Sequence, residues 1–341
     1  CNFSKDNGFA CSGGHDQECG VSCTESITKA RYRLRLVGAK FHKGVAGFVN
    51  TLYDASTRSK TLMPLQMTNE EYHAHEAISK SKLDAARKSG RHLYDMLHGP
   101  PRESTAAFDL GTALHASALP GESVDEVAVR MPEGMKKTTK EGKAFVADNK
   151  DKIILSSTDS YLLDEMMASL EHHPFTRQLV WGILKGKAEQ SFFCTDEATG
   201  LELKARPDFI FDDLSLIIDL KTTVDASPKG FQRSVANYRY YVQASHYLDV
   251  VEGATGTRPQ AFLFAAVEKS RPFGAAVYMA DQAMIDLGKQ HAREDLDNIA
   301  KWMAEENFPG YSERVEEISL PKWMLPKEDG TPADHHPIEL Y

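Results

Sequence analysis

The sequence predicts an α/β fold around a central mixed β-sheet flanked by helices. Three observations carry that expectation. Helical patterns fill most of 68–184; β-patterned segments and tight turns take over from Ala188; and the apolar run Leu216-Ile217-Ile218, which leads into Asp219-Leu220-Lys221, reads as a buried central strand. Helices, three strands, two helices, two strands and a long helix make an α/β order.

The elements follow in turn. Arg31 to Val37 alternates arginine with Tyr32, Leu34 and Leu36, a period-two strand pattern. Residues 38–66 read as a linker or small appendage. Thr68-Asn69-Glu70-Glu71 fits a capping box that opens a helix. A second helix starts near Ser79, carries Leu83, Ala86, Leu93, Met96 and Leu97, and stops at Gly99-Pro100-Pro101. Ala106 to Leu119 is a helix containing His115, closed by Pro120-Gly121. A loop over 120–137 and helices over 138–150, 157–172 and 175–184 come next. Ser191 to Cys194 is then a strand, Asp196 to Gly200 a turn, and Leu201 to Phe211 a second strand. Helices over 227–236 and 238–252, strands over 260–268 and 274–279, and a helix over 281–306 complete the pattern. The domain expectation is a leader and appendage over 1–66, a main domain over 67–325 and a tail over 326–341.

Composition bounds the function. The chain has 341 residues, 41% hydrophobic and 26% charged, ordinary values for a globular protein. No apolar run approaches the roughly 20 residues of a membrane span, so no membrane association is expected. No basic-then-apolar segment opens the chain, so no signal peptide is predicted. Lys and Arg total 40 against 49 Asp and Glu, a net charge of −9. That argues against a protein that coats nucleic acid non-specifically, but not against a nuclease, which needs a basic channel rather than a basic surface. Cys1, Cys11, Cys19 and Cys23 cluster at the start without a standard zinc spacing, and a flexible leader is the reading preferred. Only Cys194 lies in the body, which suits a reducing cytoplasm.

The chemistry concentrates in Arg206-Pro207-Asp208 and, after ten intervening residues, Asp219-Leu220-Lys221. A hairpin between two strands would bring Asp208 and Asp219 to one point on the sheet. Hard cations such as Mg2+ take oxygen ligands, and two carboxylates with the Leu220 carbonyl would supply them. Lys221 lies two residues from Asp219, on the same strand face. There an ammonium could orient or help deprotonate a water, or neutralise a scissile phosphate. The set suits phosphodiester hydrolysis. His115 is either a further metal ligand or a structural histidine, and Glu189 either a further carboxylate or a strand-end charge. Gln243 and Tyr247, one helical turn apart, share a face near Tyr238, Arg239, Tyr240 and Tyr241. These aromatics either contact nucleic acid or pack in the core. Lys204 and Arg206 are candidate phosphate contacts.

In this order the pieces resemble the PD-(D/E)xK nuclease superfamily, in its RecB-like branch. The carriers are Gly111 to His115, Glu189, Pro207-Asp208, Asp219 to Lys221 and Gln243 to Tyr247. The nearer resemblance is to RecE-type exonucleases (exodeoxyribonuclease VIII). It rests on Ile78 to Asp84, Leu110 to His115, Arg206-Pro207-Asp208, Asp219 to Thr223, Tyr238-Arg239-Tyr240 and Ser319 to Trp323, and covers about 68–325. It implies a restriction-endonuclease-like core. It implies ATP-independent 5′-to-3′ degradation of linear double-stranded DNA, leaving 3′ tails for a RecT-like annealing protein in recombination. Mg2+, with Mn2+ as a substitute, and a homo-tetrameric ring threaded by DNA are also implied. In that scheme His115, Asp208, Asp219 and the Leu220 carbonyl hold metal. Lys221 activates water, Glu189 and Gln243 support catalysis, and Lys204, Arg206, Tyr240 and Tyr247 contact DNA. The alternatives are another RecB-like nuclease, or a catalytically silent DNA-binding module.

Overall fold

A computed structural model describes residues 67–100, 105–121 and 123–320. The expected leader, the strand over 31–37, the early cysteines and the tail over 326–341 lie outside the described residues. None of the described helices is long and apolar enough to cross a membrane.

The helical part comes first. α1 (Asn69–Ala74) begins with a complete capping box between Thr68 and Glu71. The single helix expected from Ser79 to Leu97 is two helices, α2 (Lys80–Lys88) and α3 (Gly90–His98). Ser89 between them is extended and caps α3, its hydroxyl accepting from His92 N. Gly90 is needed at this break. A Cβ there would meet Pro309 at 2.6 Å, where Arg91 N donates to the Pro309 carbonyl. Then come α4 (Ala106–Ala118), α5 (Val124–Val127), β1 (Ala128–Arg130), α6 (Lys140–Asp148), β2 (Ile153–Leu155), α7 (Ser157–His172) and α8 (Thr176–Val180). Helix α5 and strand β1 replace part of the loop expected over 120–137, and β1 pairs in parallel with β2. Strands this short present too few residues for a periodic signal.

The sheet elements are β3 (Gly186–Ala188), β4 (Phe192–Thr195), β5 (Glu202–Ala205), β6 (Phe209–Phe211), β7 (Leu216–Thr223), β8 (Ala261–Glu268) and β9 (Ala275–Met279). Helices α9 (Pro228–Asn237) and α10 (Tyr240–Thr255) connect β7 to β8, and α11 (Gln282–Ala304) follows β9. Among the described residues the main sheet has five strands, in the order β3-β6-β7-β8-β9. Only β7 and β8 run parallel; the other neighbours are antiparallel, so the sheet is mixed as expected.

The strand expected over Leu201–Phe211 is divided. β5 pairs with β4 in a separate two-stranded sheet, whereas β6 joins the main sheet. Pro207 has no N–H to continue a ladder, which accounts for the break at Arg206-Pro207-Asp208. Asp208 therefore lies at a strand entrance and not mid-strand.

β7 and β8 are the buried centre. Ile217, Phe262 and Phe264 are essentially inaccessible and pack with Val242, Leu248 and Ile299 from the helices, and Ile218 is equally buried. Full burial of each such large side chain contributes about 1.5–3 kcal/mol. Helix α11 crosses α10 at Gly288, where a Cβ would collide with the Tyr241 carbonyl and reach Ser245 Cβ at 2.9 Å. Gly288→Ala should therefore destabilise the protein by about 1–3 kcal/mol in urea unfolding, although alanine is ordinarily the better helix former.

Candidate active site

Strand β7 carries a charge into the core. Asp219 is fully inaccessible, and its carboxylate forms an ion pair with the Lys221 ammonium on the same strand. Gln243 Nε2, from α10, donates to Asp219 Oδ1 at 2.7 Å. Burial raises the Asp219 carboxyl to about 6, against the lowering effect of Lys221, and Asp208 adds to the rise. Burial works the other way on Lys221. The Asp219 and Asp208 carboxylates outweigh it and hold the ammonium above the ordinary lysine value.

Asp208 is tied to the same strand through the backbone. Its Oδ2 accepts from Leu220 N at 2.6 Å. Its Oδ1 faces His115 Nδ1 at 3.6 Å. His115 Nε2 lies 3.1 Å from the Leu220 carbonyl. A carbonyl can only accept, so the ring proton on that side is at Nε2. Nδ1 is then left with its lone pair toward Asp208. Two acceptors pointed at one another call for a proton or a cation between them.

Glu189 completes the cluster. It follows β3, where the β3–β6 register places it across from Asp208, and its N–H donates to the Asp208 carbonyl at 3.2 Å. It therefore follows a strand and does not open one. Its φ of 50° is left-handed, a conformation that non-glycine residues hold only when their surroundings enforce it. Ligand atoms of His115, Glu189 and Asp208 all lie within 4.8 Å of one another. Two hard carboxylate oxygens and a neutral imidazole nitrogen fit a small divalent cation. Asp219 is outside that cluster, one residue from the Leu220 amide that binds Asp208. Its buried Oδ2 touches Lys221 without an aligned hydrogen bond. The Leu220 carbonyl, expected as a metal ligand, is the acceptor that orients His115, a common second partner for a ligating imidazole.

These groups border a cleft of about 940 Å³, lined by His115, Glu189, Leu220 and Lys221, and by Tyr240 and Tyr247 from α10. The Lys221 ammonium sits 5.1 Å from the centre of the Tyr240 ring. Burial holds the Tyr247 phenol well above its ordinary value, so it remains neutral. Arg206 also lines the cleft, but its guanidinium donates to Ser191 Oγ, Asn69 Oδ1 and the carbonyls of Met67 and Thr68. It anchors α1. Lys204 corrects the expectation of a phosphate contact. Its ammonium is buried and donates to the carbonyls of Tyr72 and His75. Burial chiefly, with Lys82 and Arg206 nearby, lowers it to about 8.

Two stretches far apart in the sequence, Ile78 to Asp84 and Tyr238 to Tyr240, prove to be one structure. Lys80 bridges Asp84 at 2.6 Å and donates to the Tyr238 carbonyl at 2.7 Å. Arg239 bonds Asp84 at 3.1 Å and also pairs with buried Asp295. Arg239 is left-handed, with φ 53°, immediately before α10. The network thus sets where α10 starts, and with it Tyr240, Gln243 and Tyr247. It also corrects the expected helix start at 238.

Comparison with known proteins places the chain in a family. The chain belongs to the family of the PDDEXK-like domain of unknown function (DUF3799), whose profile matches residues 79–321. Among curated proteins there is no match. A crystal structure of a candidate exonuclease from Eubacterium rectale is similar, at 15% identity and a TM-score of 0.53. The match covers 75% of this chain and 97% of that one, a likeness of fold. A phage-related exonuclease from Haemophilus somnus is 14% identical with a TM-score of 0.29, over 57% of this chain and 95% of that one.

Cation affinity should depend on pH through Asp219. Its folded value near 6 exceeds the ordinary 3.8, so the metal-free fold takes up a proton there as pH falls. Stability from this group is full below the unfolded value and is lost as pH rises through about 6. A cation held by His115, Glu189 and Asp208 gains from the adjacent Asp219 charge, which that proton removes. Its apparent affinity should weaken as pH drops below 6 and level off above 7, readable as Mn2+ binding by paramagnetic resonance or calorimetry.

Proposed function

We propose that this chain is a divalent-metal-dependent nuclease that degrades linear double-stranded DNA from its 5′ ends without ATP. The observation that carries the hydrolytic reading is the meeting of His115, Glu189 and Asp208 beside the buried Asp219–Lys221 pair on one cleft. The family assignment supports it. Mg2+ is the cation proposed, with Mn2+ as a substitute. His115, Glu189 and Asp208 would hold it, with Asp219 adjacent. Such an ion polarises a phosphoryl oxygen and lowers the pKa of a bound water.

The chain's own groups supply the rest. His115 is oriented by the Leu220 carbonyl, and Asp208 by the Leu220 amide. Gln243 keeps Asp219 turned toward Lys221. Lys221 is an ammonium with no lone pair, so it orients a water or neutralises charge at the scissile phosphate and does not take a proton. Tyr240 and Tyr247 present aromatic surface to a strand in the cleft. End preference, 5′ polarity, a tetrameric ring, and 3′ tails passed to a RecT-like annealing partner in the cytoplasm rest on the RecE-like stretches, not on the site geometry. A basic channel in a ring would reconcile DNA binding with the charge of −9.

Duplexes labelled separately at 5′ and 3′ ends, digested with Mg2+ beside closed circles, test this. Linear DNA should disappear, circles should survive and the 5′ label should be released first. Asp219→Ala and Lys221→Ala should each slow digestion at least about a hundredfold. Cut circles would make the protein an endonuclease, prior release of the 3′ label would reverse the polarity, and binding without turnover at any Mg2+ or Mn2+ concentration would make it a silent DNA-binding module.

A further inference from the structure

We infer that the cleft face of α4 is a nucleobase-stacking subsite with Phe108 as its platform, an inference that rests on the nuclease reading above. Phe108 lies on the same cleft as the metal-ligand cluster yet is 65% exposed. Its exposure does not come from a frayed end. Thr105 caps α4, with its hydroxyl accepting from Phe108 N at 3.3 Å, so the ring leaves an anchored first turn. Nor is it misplaced core, because Leu110, Ala113, Leu114 and Ala118 form the buried face of the same helix.

The register connects this ring to the chemistry. Phe108, Gly111 and His115 all line the cleft, and their spacing of three and then four puts them on one helix face. Seven residues of helix separate Phe108 from His115 by about 10 Å along the axis. Stacked bases rise about 3.4 Å per step. A strand whose phosphate sits at His115 therefore brings a base two or three nucleotides away over Phe108.

Gly111 lies between them. Among the described residues no atom comes within 4 Å of where its Cβ would be, so their packing does not require glycine there. Glycine in a helix interior is unfavourable relative to alanine. A gap between an aromatic platform and a metal-ligating histidine is what a sugar–phosphate backbone crossing the helix would need. The occupant is thus an unpaired or frayed DNA strand, stacked in a sequence-tolerant way because every base has a π-face.

The test uses the full chain and single-stranded oligonucleotides carrying 2-aminopurine two or three positions from the end, bound in Ca2+, together with steady-state digestion in Mg2+. Wild type should quench the fluorophore. Phe108→Ala should abolish quenching and raise KM for DNA about tenfold, with kcat changed less, and Phe108→Trp should restore both. Gly111→Ala should raise the melting temperature while raising KM. Wild-type quenching and KM in Phe108→Ala, with an unchanged melting temperature, would overturn the subsite while leaving the nuclease reading intact. An unchanged KM in Gly111→Ala would remove that residue from it. Binding and Phe108-dependent quenching without cleavage would overturn the nuclease reading and keep the subsite. If DNA is neither bound nor cut, both fall.

Discussion

The site depends on a carboxylate held inside the sheet. Burying an isolated Asp219 would be prohibitively unfavourable, because the interior offers no water to solvate it. Lys221 on the same strand face and Gln243 from the facing helix make its burial tolerable. The remaining strain is visible in a carboxyl pushed to about 6. A nearby cation would relieve it. The arrangement is thus less stable than an apolar strand would be, and β7 tolerates it because the flanking residues Ile217, Ile218 and Leu220 are so thoroughly buried.

Around that strand the other groups are positioned mainly by backbone. The β3–β6 register sets Glu189 opposite Asp208, the Leu220 amide orients Asp208, and the Leu220 carbonyl orients His115. Backbone groups of a central strand move little, so they define a donor set more firmly than side chains on loops would. The helix α10 is registered by a charged network instead. Arg239 reaches Asp84 on α2 and Asp295 on α11, so one residue links three helices at the cleft's edge.

Much of this was legible in the chain. β7, β8, α7 and α11 are long enough for their periodicity to speak, and all four appear close to the expected bounds. Asp219 and Lys221 were readable as a pair because alternate residues of a strand share a face. The break at Arg206-Pro207-Asp208 was hidden because the apolar pattern continues across it, while the proline ends one ladder and the chain enters another sheet. Lys204 looked like a phosphate contact because a lysine beside a candidate site is ordinarily exposed. Carbonyls of the distant α1 region, which no local pattern specifies, bury it instead.

By itself the sequence determined the class of fold, the central strand and the residue types that would meet a cation, because those follow from local periodicity and spacing. Tertiary structure alone decided which groups converge. It set Glu189 beside Asp208, turned the free nitrogen of His115 toward a carboxylate, made Lys204 and Arg206 anchors of α1, joined Lys80 to the Tyr238 carbonyl, and left Phe108 bare over the cleft. Each of those outcomes depends on contacts between segments far apart in the chain, and such contacts have no signature in the spacing of residues along it.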